Sequence, residues 1–307
     1  MTKPARTDRI PVIETSQALR AEADRLRAAG RRIALVPTMG ALHEGHLSLV
    51  KFARQRADAV FVSIFVNPTQ FNDPRDFDAY PVDLSRDLEL CANAGVDAVF
   101  APKTGELYPD GASTWVDVEG LTEPLCGASR PGHFRGVTSV VAKLFLAAKP
   151  HVALFGEKDW QQLAVIRRME RDLGFGIDIV GCPTVREPDG LALSSRNVRL
   201  DAEARRQAVA LVRALDDAEH ALMGGEVGRD ALLEIVRATL GRARLATLDY
   251  AELRDPDTLA PAPPTLAAPT LLALAVLFGA DSASRTDGPR SGAPVRLIDN
   301  RILVPLR

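Results

Sequence analysis

The sequence predicts an α/β fold, a doubly wound parallel sheet followed by a smaller α+β domain. Three observations predict it. Ile33 to Val36 and Ala59 to Val66 (AVFVSIFV) are continuous apolar runs, apolar on both alternations, as in strands buried on both faces. Such runs alternate with helix-period segments through Ile177 to Val180, a strand–loop–helix repetition that gives parallel sheets. After about Thr184 the style changes to two Ala- and Arg-rich amphipathic helices and three strand-like runs, TLDYAEL, LLALAVLF and VRLIDNRIL.

Taken in order, SQALRAEADRLRAA (16–29) is a helix with Ser16 as its N-cap and Gly30 as its stop. The first long strand breaks at Pro37 into a tight turn with Gly40, and a helix follows from His43. The next strand ends at Asn67-Pro68. Leu84 to Ala94 is helical, and Asp97 to Phe100 is a short strand. Leu107 to Arg135 is Gly- and Pro-rich and reads as an excursion before a helix at Val137 to Ala148. Val152 to Phe155 is a strand, followed by a helix to about Leu173. Asp201 to Met223 and Arg229 to Ala243 are helices separated by Gly224-Gly225, and the polar run Gly279 to Pro294 is a loop. The expected division is 1–184 and 185–307.

Composition narrows the function. Lys plus Arg total 38 against 40 Asp plus Glu, a net charge of -2, which argues against an electrostatic nucleic-acid binder. The apolar run Thr270 to Ala280 is too short to span a bilayer. Cys91, Cys126 and Cys182 form no CxxC, so reduced thiols in the cytoplasm are expected. The first residues carry no apolar signal core.

In open α/β sheets ligands bind beyond the carboxyl ends of the strands. The segments PTMG, NPTQF, GEKD and PTVRE stand at such ends. His43 and His46 sit three apart at a helix start, where backbone N–H groups and the dipole favour an anion. They can simply cap the turn, bind zinc, or stabilise charge on a phosphate. The strand–turn–helix context favours the third reading, and a zinc site lacks an evident third ligand. Lys158-Asp159 is either a solvated turn or a point charge for a triphosphate. Ser194, Ser195 and Arg196 suit phosphate oxygens but are common in loops. Gln70 and Gln162 are surface glutamines or hydrogen-bond partners for a small hydroxy acid. Met39 is a core residue or packs on a ligand.

Together PTMGALHEGH, SIFVNPTQF, DAYP, YPDG, RPGHFRGV, FGEKDWQQL, PTVREPDGLALSSRN and LIDN, in this order, resemble the pantoate–β-alanine ligases of the HxGH nucleotidyltransferase superfamily. The resemblance implies a Rossmann-like domain and a smaller C-terminal lid. It implies that pantoate attacks ATP to give pantoyl adenylate and pyrophosphate, after which β-alanine displaces AMP. It assigns ATP to Met39, Gly40, Ala41, Leu42, His43, Glu44, Gly45 and His46, with His46 as catalytic proton donor and His43 beside it. It adds Gly156, Glu157, Lys158 and Asp159, with Lys158 at the phosphates, then Val185 at the adenine and Leu193, Ser194, Ser195 and Arg196 over the triphosphate. Pantoate falls to Gln70 and Gln162, and β-alanine to Gln70. Mg²⁺ arrives with ATP, no protein metal site is implied, and a homodimer is expected. Leu193 stands where the family usually has Met, Trp160 where Tyr or Phe is commoner, and the 279–294 loop is longer than usual. A different HxGH nucleotidyltransferase would want more cations at its acceptor site, and a non-catalytic nucleotide module would not need His46.

Overall fold

The computed structural model describes residues 10–72, 74–279 and 294–306. The chain groups into two compact units, one of residues 1–123, 127–157 and 165–183, the other of 124–126, 158–164 and 184–307. In chain order the first carries β1 (Val12–Ile13), α1 (Ser16–Ala28), β2 (Ile33–Thr38), α2 (Glu44–Arg54) and β3 (Ala59–Ile64). Then come the short α3 (Pro74–Asp78), α4 (Leu84–Asn93), β4 (Ala98–Phe100) and two short helices, α5 (Thr104–Leu107) and α6 (Cys126–Ser129). Next are α7 (His133–Ala148), β5 (Val152–Gly156), α8 (Trp160–Leu173) and β6 (Asp178–Cys182), with Cys126 of α6 and residues 160–164 of α8 grouped in the second unit.

The six strands pair in parallel in the order β1-β4-β3-β2-β5-β6. Strand order reverses between β2 and β5, and a doubly wound sheet opens its ligand crevice at such a switch point. Ala34, Val36, Val60, Val62, Val99, Val152 and Leu154 share one buried cluster with Leu49, Val50 and Ala53 of α2. Ile33, Leu35, Phe61, Phe100, Ala153 and Phe155 alternate with them and are equally buried. Side chains alternate across a strand, so both faces are covered, as the apolar runs predict.

Four local expectations need correction. The N-cap of α1 is Thr15, whose hydroxyl accepts from Ala18 N–H at 3.2 Å, not Ser16. Strand β2 runs through Pro37, which lies opposite Ser63 of β3. A proline is tolerated there because β5 pairs with β2 only at Ala34 and Leu35, so the missing N–H removes no ladder bond on that side. Helix α7 begins at His133, four residues before the expected Val137, after Gly132 in a left-handed conformation (φ 78°). The segment 201–223 is two helices, α9 (Ala202–Ala208) and α10 (Ala210–Met223), meeting at Val209 with neither Gly nor Pro to announce the break.

The second unit adds α11 (Arg229–Gly241), β7 (Ala246–Arg254), β8 (Thr270–Phe278) and β9 (Val295–Leu303). Its sheet is antiparallel in the order β7-β8-β9. The central β8 (TLLALAVLF) is almost wholly buried, and Leu272, Leu274 and Val276 join Leu211, Leu215, Leu232 and Val236 of α10 and α11 in one core. The long loop expected over 279–294 lies outside the described residues between 280 and 293.

One pH effect follows from the start of the central strands β2 and β5. His151 Nδ1 accepts the Ile33 N–H at 2.9 Å, so this nitrogen is unprotonated. Burial, and then the charges of Arg27 and Arg32, hold its pKa below the usual value of about 6.5. As pH falls through 6.5 the unfolded chain takes up its proton first, so stability present in full above that pH is lost toward the lowered folded value. His151→Asn keeps an acceptor for Ile33 but cannot titrate. Its melting temperature should fall less steeply than the parent's between pH 7 and 5.5, and parallel curves would rule out this coupling.

Candidate active site

The turn after β2 is built from left-handed backbone. Gly40 has φ 82° and Ala41 has φ 50°, so two successive residues turn the chain sharply out of the sheet into α2. Ala41 and Leu42 point their N–H groups at one carboxylate, that of Asp87 on α4, at 2.9 and 2.8 Å. Asp87 is 1% exposed, and sequence reasoning missed it.

His43 is the N-cap of α2 and His46 its third residue, and the rings lie 4.1 Å apart between centroids. Each ring serves the helix through Nδ1. His43 Nδ1 accepts Gly45 N–H at 3.1 Å, and His46 Nδ1 accepts His43 N–H at 3.3 Å. A nitrogen that accepts cannot carry the proton, so both neutral rings are Nε2–H tautomers, as assigned from the hydrogen-bond network. This modifies the expected anion site. Two backbone donors at the helix start, the His43 and Gly45 N–H groups, are taken up by imidazole Nδ1 atoms, which leaves the proton of each neutral ring on Nε2.

Gln70 is 9% exposed and belongs to the 3₁₀ turn Pro68–Gln70 after β3, which excludes the surface reading. Asn67 Nδ2 donates to Gln70 Oε1 at 3.1 Å and to Gly136 O at 3.0 Å. That orients the Gln70 amide so that its NH₂ is turned toward Met39, with Nε2 2.9 Å from the sulfur. The Gln70 carbonyl accepts from His133 Nδ1 at 2.8 Å and Arg130 Nη2 at 3.1 Å. The RPGHFRGV segment therefore holds Gln70 by its backbone. Asn67, Arg130 and His133 lie in motifs quoted from the sequence, but spacing alone gave no sign of their common target. Met39, His43, His46 and Gln70 thus fall within the first unit, with Gly156 and Glu157 at the end of β5.

Within the second unit Lys158 is mostly buried (19% of its side chain exposed) and only loosely paired, 3.8 Å from the Asp159 carboxylate. Asn300 of β9 donates to the Lys158 carbonyl at 2.8 Å. Trp160 Nε1 donates to Pro256 O at 2.8 Å, a bond that Phe would lack. The adjacent glutamines separate in role. Gln161 is buried and bonds Cys126 N–H and Pro124 O, whereas Gln162 is half-buried on the first turn of α8. Leu193 N–H bonds Val185 O at 2.9 Å, bringing these two expected residues together. Ser194 Oγ accepts Arg196 N–H at 3.2 Å, closing a compact turn through Ser195. Arg186 grips Asp299 of β9 bidentately at 2.6 and 3.0 Å, at the root of this segment.

The model of the family described as Pantoate-beta-alanine ligase matches residues 11–302. The chain belongs to this family. It is 50% identical to the pantothenate synthetase of Acetivibrio thermocellus over 292 residues, 95% of this chain and 99% of that one. The crystal structure of pantothenate synthetase from Thermus thermophilus superposes with a TM-score of 0.86 at 44% identity, covering 96% of this chain and 100% of that chain. The ligase of Francisella tularensis, crystallised with β-γ ATP and β-alanine, gives 0.74 at 33% identity, covering 95% and 97%.

In this ligase Gly136 permits the close approach of α7 to the Gln70 turn. A Cβ there would lie 2.5 Å from Thr69 O and 2.9 Å from Gln70 N, both backbone atoms. Gly136→Ala should cost about 1–3 kcal/mol in stability through overpacking. By shifting Gln70, the residue the sequence leads one to expect at pantoate, it should also raise the pantoate KM roughly tenfold or more. Steady-state kinetics check it, and an unchanged KM would show that the turn yields without moving Gln70.

Proposed function

We propose that this ligase, which joins pantoate and β-alanine to form pantothenate with ATP, uses its paired imidazoles as preorganised donors to the reacting phosphate. In the first step a pantoate carboxylate oxygen bonds to the α-phosphorus as the bond to pyrophosphate breaks, and pyrophosphate leaves with the electron pair. Both nucleophile and leaving group are anions, so no proton has to change hands. What the step needs is stabilisation of charge on the phosphoryl oxygens. His46 supplies an Nε2–H donor there and His43 a second. Lys158 adds a point charge, and Ser194, Ser195 and Arg196 further donors.

Met39 to His46, Gly156 to Asp159 and Leu193 to Arg196 hold ATP, with Val185 at the adenine. Mg²⁺ enters as part of the nucleotide substrate, neutralising the triphosphate. Gln70 and Gln162 hold pantoate. Gln70 offers an amide NH₂, which stands against the Met39 sulfur, with the polarity that carboxylate and hydroxyl acceptors need, and it faces β-alanine in the second step. There the amine nitrogen bonds to the activated carbonyl carbon, the bond to the phosphate oxygen breaks, AMP leaves and the nitrogen sheds its proton to solvent. We assign 1–184 to ATP and pantoate and 185–307 to the lid role. A cytoplasmic homodimer is the accompanying reading, supported by family resemblance and by three free, buried thiols.

The observation that carries the mechanism is the pair of Nδ1 acceptors, which fixes two Nε2–H donors at one helix start. Pyrophosphate release tests it. Pantoate with Mg·ATP should give about one equivalent per site without β-alanine, and continuous turnover with it. Release that ignores pantoate would overturn the reading.

A further inference from the structure

The β2–α2 turn raises a question that the reaction leaves open, namely what holds two successive left-handed residues in place. Glycine adopts such a conformation freely, but Ala41 does not. Successive N–H groups in a turn of this kind form a concavity that binds anions. Here that concavity is filled from within the protein. Asp87 Oδ2 takes the Ala41 N–H and Oδ1 the Leu42 N–H, and the carboxylate is buried. The fit leaves no spare room, because a Cβ on Gly40 would lie 2.9 Å from Asp87 Oδ2 and 3.1 Å from Ile64 Cγ2. The next residue along the chain is His43, whose ring and backbone N–H begin the interlocked imidazole pair.

We propose that Asp87 is a positioning residue for adenylation, an internal anion that clamps the Gly40–Leu42 turn and thereby sets where the Nε2–H groups of His43 and His46 point. It touches neither substrate nor reacting atoms. Two consequences follow. The Ala41 and Leu42 amides are committed to Asp87, so these two N–H groups do not read the triphosphate. And the geometry of the donors depends on a helix, α4, that carries none of the residues assigned to substrate. The proposal rests on the reading of His46 given above.

Asp87→Asn is the sharpest variant, because it keeps the shape but turns an NH₂ toward a backbone N–H that needs an acceptor. Pantoate-dependent exchange of pyrophosphate into ATP isolates the first step. Its rate should fall about tenfold to a hundredfold, the scale of a displacement near 1 Å. The pantoate KM should stay within about twofold, since Asn67, Arg130 and His133 still hold Gln70. Adding Ala41→Gly to Asp87→Asn should recover part of the lost rate, because glycine holds the left-handed turn without the clamp.

The ¹⁵N signals of the five histidines give a spectroscopic check. His43, His46 and His151 should all carry the Nε2–H signature in the parent, but only the signals of His43 and His46 should move in the variant, while His151 and the others stay. An unchanged exchange rate in folded Asp87→Asn overturns the proposal. So does a loss that glycine at 41 does not relieve and that shifts all the histidine signals together. Should Asp87→Asn not fold, Asp87→Glu, which keeps the charge and moves it by one methylene, is judged by the same KM and rate criteria. His46→Ala measured alongside separates the two claims. If that variant retains exchange, the His46 reading fails; if it loses exchange while Asp87→Asn does not, only the clamp falls.

Discussion

His46→Ala lowers pantoate-dependent pyrophosphate release by about 10²–10³-fold, the loss expected for one preorganised donor at a centre of developing charge. The fold survives. His46 Nδ1 caps the His43 N–H, a bond worth about 1 kcal/mol, so the melting temperature drops by only about 2–4 °C in a chain of this size. Two further replacements separate the ring's two nitrogens. Asparagine places its amide near Nδ1, so His46→Asn should keep the cap and the melting temperature yet remain as slow as alanine. Glutamine reaches toward Nε2, so His46→Gln should recover part of the rate. A coupled pyrophosphate assay and thermal melts measure both. Full activity in His46→Asn would assign the chemistry to another group.

The sheet was legible because its signals are local and redundant. Two-sided apolar strands such as AVFVSIFV read the same in sequence and in space, and β8 announces itself in the same way. The histidine pair was legible because its partners lie three residues apart. Long-range polar contacts were not. Asp87 meets Ala41 and Leu42 across some 45 residues, and His133 meets Gln70 across 63. Neither pairing leaves a period or a spacing to detect. Pro37 shows the converse error, since proline usually ends a central strand, but here the neighbouring strand has already diverged. The start of α7 was missed for a related reason. Pro131-Gly132 reads as loop, yet Gly132 in its left-handed conformation lies at the helix entry, and the first turn of that helix carries His133.

Asp299→Ala should have the largest effect on stability, about 3–5 kcal/mol, because it leaves Arg186 without its bidentate partner. Asp299 is fully buried in its side chain, and its Oδ1 also accepts the Asn300 N–H at 2.8 Å. Arg186 in turn donates to Gly190 O at 3.0 Å, and Arg186 and Ala192 form a bridge just before Leu193. The ion pair therefore ties the root of the Leu193–Arg196 turn to β9. Loosening it should raise the ATP KM as well as lower the unfolding midpoint in urea. The neighbouring Asn300→Ala should do the opposite in proportion. It removes one neutral hydrogen bond, about 1 kcal/mol, but frees the backbone of Lys158, so adenylation slows with little loss of stability. Replacing both partners with apolar residues, Arg186→Met with Asp299→Leu, removes the unpaired charge and should restore most of the stability while the ATP KM stays high. If the double replacement is no more stable than Asp299→Ala alone, packing rather than the unpaired guanidinium is the source of the loss.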